Sequence, residues 1–267
     1  MTLSELTKLI QKHVGVTADG IYGKNTASAV IQSLGIEQEE PKEEAKEYPS
    51  AYSLEPKDMK DDWELLTQCM ILNIVNLEDP KCVDPETIRV TKLPAADRGG
   101  DWEVAGLSDG FELGIVNNIR NLINKGNKIQ AWHEMIRAID GKSLSPKVAD
   151  VMRALDIPAI EYRCRSFGFN AGLSAAIKCL QRALVFVSGI SMVIDGKWGP
   201  DTRQFLVSYT TLDSEKKRLL AQYNLEIQKY YKSLKQYKDG TFAKGWTRRW
   251  TEDERVANKF LDLGPIK

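Results

Sequence analysis

The spacing of apolar and polar residues near the N-terminus predicts a small helical module. Residues 3–14 have the periodicity of an amphipathic helix, with an apolar stripe formed by Leu3, Leu6, Leu9, Ile10 and Val14. A turn is expected at residues 17–23, followed by a second short helix at residues 25–34. Gly35 comes next, and a glycine in this position commonly ends a helix. We therefore expect two helices joined by a tight turn within residues 1–36.

The remaining apolar pattern predicts a larger, mainly α domain with one β-hairpin. Helical spacing runs from about Asp58 to Leu77, and nearly everything beyond Gly110 has it, including a long segment at residues 213–238. Two short strands are predicted at residues 87–91 and 102–105, on either side of a turn-rich segment. The fold class predicted for the whole chain is mainly α.

A change of composition separates these two parts of the chain. Residues 37–47 read EQEEPKEEAKE and contain no apolar residue except Ala45. A segment this acidic and this poor in apolar side chains is typical of a solvated linker. We therefore divide the chain into a module at residues 1–36, an acidic linker at residues 37–57 and a larger domain at residues 58–267.

The overall composition excludes several classes of function. The chain has 37 Lys and Arg against 37 Asp and Glu, so no overall field draws it to nucleic acid or to an anionic membrane. Four cysteines without C-x-x-C spacing predict reduced, structural thiols. The two histidines, far apart in sequence, do not suggest a zinc site. We expect no metal or other cofactor, no nucleic-acid partner and a monomer.

Neither a signal peptide nor a membrane-spanning stretch is recognisable in the sequence. The first 14 residues have no basic start and no apolar core of the kind that a signal peptide requires. We therefore expect no stable membrane insertion, and a protein that stays in a cytoplasm until another agent releases it.

An eight-residue motif occurs twice. Residues 19–26 read DGIYGKNT and residues 195–202 read DGKWGPDT, and an apolar–glutamine pair precedes each copy. Asp–Gly supplies a side-chain acceptor and a residue free to adopt positive φ, and the residues after the second glycine can start a helix. The simplest explanation of the motif is a tight helix–turn–helix corner.

The longer pattern around the first copy carries more information than a corner. Residues 11–30 give Q-x-x-x-G-V-x-x-D-G-x-x-G-x-x-T-x-x-A-V. This pattern resembles the peptidoglycan-binding helical repeat of cell-wall hydrolases over nearly all of residues 3–36. The resemblance implies a shallow groove near the turn that holds glycan or stem peptide, with Asp19 and Tyr22 as candidate substrate-binding residues.

The second copy also lies in a longer pattern. It is preceded by Asn170, Gly172, Ala176, Leu180 and Gln181. A predicted long helix after it leads to FAKGWTRRW, where the residues of interest are Phe242, Gly245, Trp246 and Arg248. This order resembles the C-terminal half of glycoside hydrolase family 108, the phage and bacterial muramidases, over about residues 169–250.

That resemblance implies a wall-binding-like segment embedded in a lysozyme-like catalytic domain. It makes Asn170 a further candidate for substrate binding. Trp246 and Trp250 lie at helical spacing, which is more typical of core residues than of ligand-stacking residues.

The same family has a catalytic glutamate that ends a helix in E-G-G-Y, followed by D-P-x-D-x-G-G and a Gly-Ile-Thr/Ser step. In this sequence Glu78 ends a predicted apolar helix, D-x-G-G occurs at residues 97–100 and G-L-S at residues 106–108. E-G-G-Y is missing, and an insertion separates Glu78 from Asp97. The resemblance implies Glu78 as the catalytic acid, and the missing residues keep a decayed catalytic centre as an alternative.

Physical chemistry favours Glu78 independently of the resemblance. The preceding helix is apolar and is expected to be buried, and Pro80 prevents it from continuing. A carboxyl group in the last turn faces the negative end of the helix dipole and apolar neighbours, and both favour its protonated form. A general acid must hold its proton near neutral pH.

Glycoside hydrolysis usually needs a second carboxylate across the cleft. The predicted hairpin offers Asp97, Asp101 and Glu103. Asp97 is expected to hold the turn through its side chain and is counted among the substrate-binding candidates. Glu103 alternates with Trp102 and Val104 along its strand, so its side chain points away from theirs. We take Glu103 as the first candidate for the second carboxylate and Asp101 as the next candidate.

One helix face keeps two interpretations open. Lysine and tyrosine recur along the long predicted helix, at Tyr223, Lys229, Tyr230, Lys232, Lys235 and Lys238. Such a face is most often a solvated surface, and the alternative is a surface that lies against an anionic wall or membrane.

The two resemblances together imply an endolysin, a muramidase that hydrolyses the glycan strands of bacterial peptidoglycan during host lysis. The resemblance to phage enzymes and the missing signal peptide predict a protein of the host cytoplasm that reaches the wall when a holin opens the membrane. Two alternatives stay open. A lytic transglycosylase would use the same acid without attack by water, and a wall-binding virion protein would have no activity.

Overall fold

The computed structural model describes residues 3–13, 15, 17–18, 33, 53–60, 62–94, 99–264 and 266. The chain divides into two compact units, Met1–Ala51 and Tyr52–Lys267. The predicted fold class is confirmed, because the described residues are mainly helical and their strands form one small antiparallel sheet.

In the first unit, helix α1 spans Leu3–His13, as predicted, but the predicted apolar stripe is wrong. Leu6 and Leu9 are 40% and 55% exposed, whereas Thr7 and Gln11 are 3% and 2% exposed. The helix is thus rotated so that the glutamine of the repeated pattern faces inward. Most of the predicted turn and second helix lies outside the described residues.

The second unit contains ten α-helices among its described residues. They are α2 (Trp63–Glu78), α3 (Asp109–Asn124), α4 (Lys128–Ser143), α5 (Pro146–Ala154), α6 (Pro158–Ala171), α7 (Leu173–Ser188), α8 (Pro200–Ser208), α9 (Asp213–Ser233), α10 (Lys235–Lys238) and α11 (Ala243–Leu261). Short 3-10 helices span Pro56–Met59, Pro80–Val83 and Pro85–Thr87. Each of these three begins with a proline, whose fixed φ suits a first helical position.

The predicted hairpin is a three-stranded antiparallel sheet of strands β1 (Thr91–Lys92), β2 (Trp102–Val104) and β3 (Leu107–Ser108), paired in that order. The strand predicted at residues 87–91 is wrong over most of its length, because Thr87 ends a 3-10 turn that Asp84 caps and the strand begins only at Thr91. The third strand follows a two-residue turn in which Ala105 and Gly106 both have positive φ. Such turns match the twist of the strands that they join.

Helix α6 forms the centre of the second unit. Every residue from Pro158 to Phe169 is buried, and helices α2, α4, α5, α7, α9 and α11 pack against it. A helix buried on all sides is normally apolar, yet α6 carries three buried charges. Arg165 pairs with Glu161 at 2.8 Å, and Arg163 pairs with Asp253 at 3.2 Å. Ion pairing therefore offsets part of the cost of burying these charges.

The four cysteines are free and buried, as the sequence predicts. Burial raises the pKa of Cys82 to about 11 and those of the other three thiols to about 12. Thiols this far from ionisation are poor nucleophiles and act as small apolar packing groups.

Candidate functional site

Glu78 is the last residue of α2, a helix whose middle turns are almost entirely buried. Asp62 caps the start of this helix by accepting hydrogen bonds from the backbone amides of Glu64 and Leu65. The next residue, Asp79, is extended, and Pro80 starts a 3-10 turn. The side chain of Glu78 is 18% exposed, so it lies at the edge of the core with access to solvent.

The sequence predicts that Glu78 faces apolar neighbours, and the structure adds a cation to them. Nη1 of Arg249 donates a hydrogen bond of 2.5 Å to Oε1 of Glu78, across 171 residues of sequence. Arg249 lies on α11 and its side chain is 11% exposed. A largely buried guanidinium stabilises a carboxylate charge. The residue singled out in this segment from the sequence, Arg248, is exposed.

Arg249 continues into a buried network of charges. Its Nε lies 3.9 Å from Oδ2 of Asp253, one turn later on α11. Oδ1 of Asp253 accepts hydrogen bonds from the hydroxyls of Tyr162 and Ser166, at 2.9 and 2.5 Å. Burial by itself lowers the pKa of Arg249, but the charges of Glu78 and Asp253 raise it by more. The guanidinium therefore stays charged beside Glu78.

The β2–β3 turn packs directly onto Glu78. A Cβ atom added to Gly106 would lie 2.8 Å from Cε1 of Phe169 and 3.0 Å from Cγ and Cδ of Glu78. No side chain fits at that distance, so the glycine of the G-L-S step lets the sheet approach the end of α2. Gly106 and Phe169 thus form the walls beside the Glu78 carboxylate.

Asn170, the candidate substrate-binding residue at the end of α6, is exposed, and its Oδ1 accepts a 2.9 Å hydrogen bond from the hydroxyl of Tyr231. This leaves the amide nitrogen of Asn170 as the group that can donate to a ligand. Burial raises the pKa of Tyr231, and the charges of Arg249 and Glu78 also act on it. Tyr231 therefore lies within the electrostatic range of both Arg249 and Glu78.

The tryptophans of the last pattern are packing residues, as the sequence suggests. Trp250 is 6% exposed, and its ring centroid lies 5.9 Å from that of Tyr231. Trp246 is half-buried and lies 5.4 Å from the same tyrosine. These two rings hold Tyr231 in position behind Asn170.

Of the candidate second carboxylates, Glu103 lies on the sheet whose turn contacts Glu78. Glu103 is half-buried on the central strand, opposite Thr91 and Ser108. Asp101 is exposed, and its backbone amide donates to Oδ1 of Asp109 at 2.8 Å. Their assignment as second carboxylates therefore stays a prediction. Asp97, Asp19 and Tyr22 lie outside the described residues.

Sequence reasoning missed a further carboxylate near this site. Glu112 has non-helical backbone angles inside α3, φ −120° and ψ 46°. Its Oε2 accepts a hydrogen bond from the backbone amide of Ser108 at 3.2 Å, and its Oε1 pairs with Nζ of Lys142 at 2.9 Å. Nζ of Lys142 lies 4.7 Å from the ring centroid of Phe169. Nothing in the sequence marks Glu112 except that it follows the G-L-S step closely.

The second copy of the repeated motif is a corner held by a buried glutamine. Nε2 of Gln181 lies 3.0 Å from Oδ1 of Asp195, 3.0 Å from Oγ1 of Thr202 and 3.1 Å from the carbonyl of Lys197. Oε1 of Gln181 accepts a hydrogen bond from the amide of Gly196 at 2.9 Å. The glutamine, Asp-Gly and threonine of the motif therefore have structural roles.

The aromatic position of the motif has a different environment. Trp198, which occupies the place of Tyr22 in the second copy, lines an open cavity of about 550 Å³ together with Arg203 and Val207. A half-exposed indole in a cavity can stack on a sugar ring or a planar group.

The described residues can be compared with the requirements of a metal site and of a membrane-spanning helix. Within the described ranges, no group of three or more His, Cys, Asp or Glu side chains could hold a metal ion. In the same part of the chain, no helix has both the length and the apolar character needed to cross a bilayer.

Comparison with known families places a peptidoglycan-binding domain in the second unit. Residues 175–251 match the family model described as "Predicted Peptidoglycan domain". The matched segment runs from α7 into α11 and includes both Trp198 and Arg249. No curated protein and no solved structure matched the chain. The match supports a peptidoglycan-binding protein associated with the cell wall.

Proposed function

We propose that this protein cleaves the glycan strands of peptidoglycan as a lysozyme-type muramidase, with Glu78 as the general acid. One observation carries the proposal: Glu78 is in direct contact with Arg249, which belongs to the segment that matches the peptidoglycan domain. A partly exposed carboxylate at the end of a buried helix is thus adjacent to the segment that matches the peptidoglycan domain. A proton donor held beside a wall-binding segment is one requirement of a glycan-cleaving site, and a second carboxylate is the other.

In the proposed reaction, Glu78 gives its proton to the oxygen that links N-acetylmuramic acid to N-acetylglucosamine. The bond from C1 of N-acetylmuramic acid to that oxygen breaks, and a water oxygen adds to C1. The second carboxylate receives the proton of that water or stabilises the positive charge at C1. Glu103 and Asp101 are the candidates from the hairpin. Glu112 is a third candidate, because it accepts a hydrogen bond from the amide of Ser108 and pairs with Lys142, which lies over the ring of Phe169.

For Glu78 to act as the general acid, its ion pair with Arg249 has to open. Because Nη1 of Arg249 lies 2.5 Å from Oε1 of Glu78, bound glycan has to displace the guanidinium before the Glu78 carboxyl can reach the glycosidic oxygen. Asp253 provides Arg249 with a second carboxylate at 3.9 Å, so the guanidinium keeps a partner when it leaves Glu78. We infer that substrate binding and activation of Glu78 are coupled through Arg249.

The biological setting is part of the same proposal. The resemblance to phage and bacterial muramidases favours an endolysin that is held in the host cytoplasm and reaches the wall after a holin opens the membrane. The module at residues 1–36 would keep the enzyme on its insoluble substrate and raise its effective concentration there.

The test compares Glu78→Gln with wild type in a zymogram and in turbidity clearing of purified sacculi. We expect the variant to lose about 100-fold or more of the activity, because general acid catalysis contributes that much. Glu64→Gln is the matched control, since Glu64 is exposed in the first turn of the same helix, and it should clear like wild type. Full clearing by Glu78→Gln would remove Glu78 from the mechanism.

The products distinguish hydrolysis from lytic transglycosylation. In lytic transglycosylation the C6 hydroxyl of N-acetylmuramic acid attacks C1 in place of water and forms an anhydro sugar. Mass spectrometry of digested sacculi should give reducing ends for a hydrolase, and anhydro ends would reassign the reaction while keeping Glu78 as its acid.

A second candidate function is wall binding without catalysis. The ion pair between Arg249 and Glu78 favours it, because a carboxylate engaged by a guanidinium at 2.5 Å can be purely structural. Wild-type protein that sediments with sacculi and releases no soluble fragments would establish this alternative and exclude the muramidase.

A further inference from the structure

A groove of about 750 Å³ lies between α7 and α9, inside the segment that matches the peptidoglycan domain. Helix α7 lines it with Ser174, Lys178 and Arg182, and helix α9 with Glu226, Lys229 and Tyr230. The α7 residues recur every four positions, so they form one row along the helix face.

The walls of this groove are fixed by packing below them. The hydroxyl of Tyr223 on α9 donates to the carbonyl of Ala176 on α7 at 3.2 Å. The Asp-Gly corner supports the other side, because a Cβ atom on Gly196 would lie 2.5 Å from Oγ of Ser174 and 2.9 Å from Cγ of Lys178. The repeated motif therefore holds the base of the Lys178 side chain in place.

The residues of the predicted lysine–tyrosine face of α9 have two different environments. Tyr223 is fully buried and belongs to the core, whereas Lys229 and Tyr230 line the groove. Lys178 and Arg182 on the facing helix are exposed, so the cations of the groove come from both helices. This arrangement appears only when α7 and α9 are packed together.

A single carboxylate lies among these cations. The side chain of Glu226 is 10% exposed, and its Oε1 pairs with Nζ of Lys229 at 2.7 Å. The same oxygen accepts a hydrogen bond from Nε2 of Gln222 at 3.0 Å. The groove thus has positive charge at its rim and one negative charge at its floor.

We propose that this groove binds the stem peptide of peptidoglycan. Lys178 and Arg182 would pair with the peptide carboxylates, and the guanidinium of Arg182 can bind a carboxylate in bidentate fashion. The ammonium group of the diamino acid would donate hydrogen bonds to the carboxylate of Glu226. The inference rests on the peptidoglycan-binding part of the proposed function and not on cleavage.

Two arguments favour the stem peptide over other wall components. The sugar rings of the glycan carry hydroxyl and acetamido groups, which offer Lys178 and Arg182 no ionic partner. A polyphosphate such as teichoic acid is negative along its whole length and would be repelled by Glu226. A peptide with several carboxylates and one amine matches the pattern of charges in the groove.

The probe is the soluble disaccharide GlcNAc–MurNAc with its pentapeptide, compared with the same disaccharide without peptide. This probe contains no MurNAc–GlcNAc bond, so its binding is independent of muramidase activity. Calorimetry should show tighter binding of the peptide-bearing probe by wild type. Equal affinity for the two probes would overturn the inference.

The groove variant is Lys178→Glu with Arg182→Glu. We expect its dissociation constant for the peptide-bearing probe to rise about tenfold or more, the size expected when two exposed charge pairs become repulsive. The matched control reverses two exposed lysines outside the groove, Lys125→Glu with Lys147→Glu, and produces the same change of net charge. Unchanged binding by the groove variant, or an equal loss in the control, would overturn the assignment.

Three further measurements keep the interpretation unambiguous. Arg182→Gln, a milder change, should weaken binding less than the double variant while the melting temperature stays at the wild-type value. Wild type that binds polyglycerol phosphate and not the peptide-bearing probe would assign the groove to a polyanion instead. Probe binding without any clearing of sacculi would exclude the muramidase and leave the groove assignment in place.

Discussion

Gly106 illustrates how much a single residue contributes to this site. Its φ is +79°, and a Cβ atom there would meet both Phe169 and the carboxyl end of Glu78 at 3.0 Å or less. A glycine is therefore required twice, once for the turn and once for the close approach of the sheet to α2. The sequence marks this glycine only through its resemblance to a Gly-Ile-Thr/Ser step.

We predict that Gly106→Ala lowers both stability and activity. Positive φ and the contact with Phe169 should cost about 1–3 kcal/mol of unfolding free energy, and the displaced Glu78 should reduce clearing of sacculi. Chemical denaturation and turbidity assays measure the two effects.

The matched control for this variant is Gly141→Ala in α4, where an added Cβ meets nothing within 4 Å. That change should stabilise the protein by about 0.5–1 kcal/mol, because alanine favours the helix. Equal stability of Gly106→Ala and wild type would contradict the packing described for the turn.

The two adjacent arginines of α11 show the limit of residue-level reasoning. Arg248 is exposed, whereas Arg249 is largely buried between Glu78 and Asp253. Both fit an amphipathic helix, and only the rotation of that helix in the packed structure selects one of them. The sequence alone therefore could not identify Arg249 as the ion partner of Glu78.

At the scale of elements, the repeated motif proves to be a corner that joins two helices. Gln181 on α7 binds the Asp-Gly turn and the first residues of α8, so one side chain fixes the geometry of three segments. In α1 the corresponding Gln11 is also buried, which explains why Leu9 is exposed instead. The motif thus determines the helix face that turns inward.

We predict that Gln181→Met destabilises the protein by about 1–3 kcal/mol, because the buried amide of Gly196 loses its partner. Methionine keeps nearly the same volume, so loss of packing contributes little. Thermal unfolding measures the change.

Gln204→Met serves as the control for this prediction, since Gln204 is exposed on α8 and its replacement should leave the melting temperature unchanged. If both variants unfold like wild type, the glutamine does not hold the corner.

At the scale of the whole molecule, the two compact units invite separate tests of binding and cleavage. Tyr22 in the first unit corresponds to Trp198, which lines an open cavity in the second copy of the motif. The proposed role of the first unit is to retain the protein on the wall, and it requires no part of the Glu78 site.

We predict that Tyr22→Ala weakens sedimentation with sacculi several-fold and leaves the initial rate on soluble glycan oligomers unchanged. Loss of one stacking contact of about 1 kcal/mol accounts for a change of this size. Tyr22→Phe keeps the ring and should bind like wild type. A variant that is impaired on soluble oligomers would place Tyr22 in the cleavage reaction instead.

The apolar periodicity of the sequence by itself determined the mainly α fold class, the position of α2 and the end of that helix at Glu78, because helix boundaries depend on local residues such as Asp62 and Pro80. The repeated motif likewise indicated the peptidoglycan-binding segment. The tertiary structure alone decided what surrounds Glu78 and where the basic groove lies. Arg249, Gly106 and Phe169 come from three distant segments, and contacts between distant segments depend on packing rather than on local sequence.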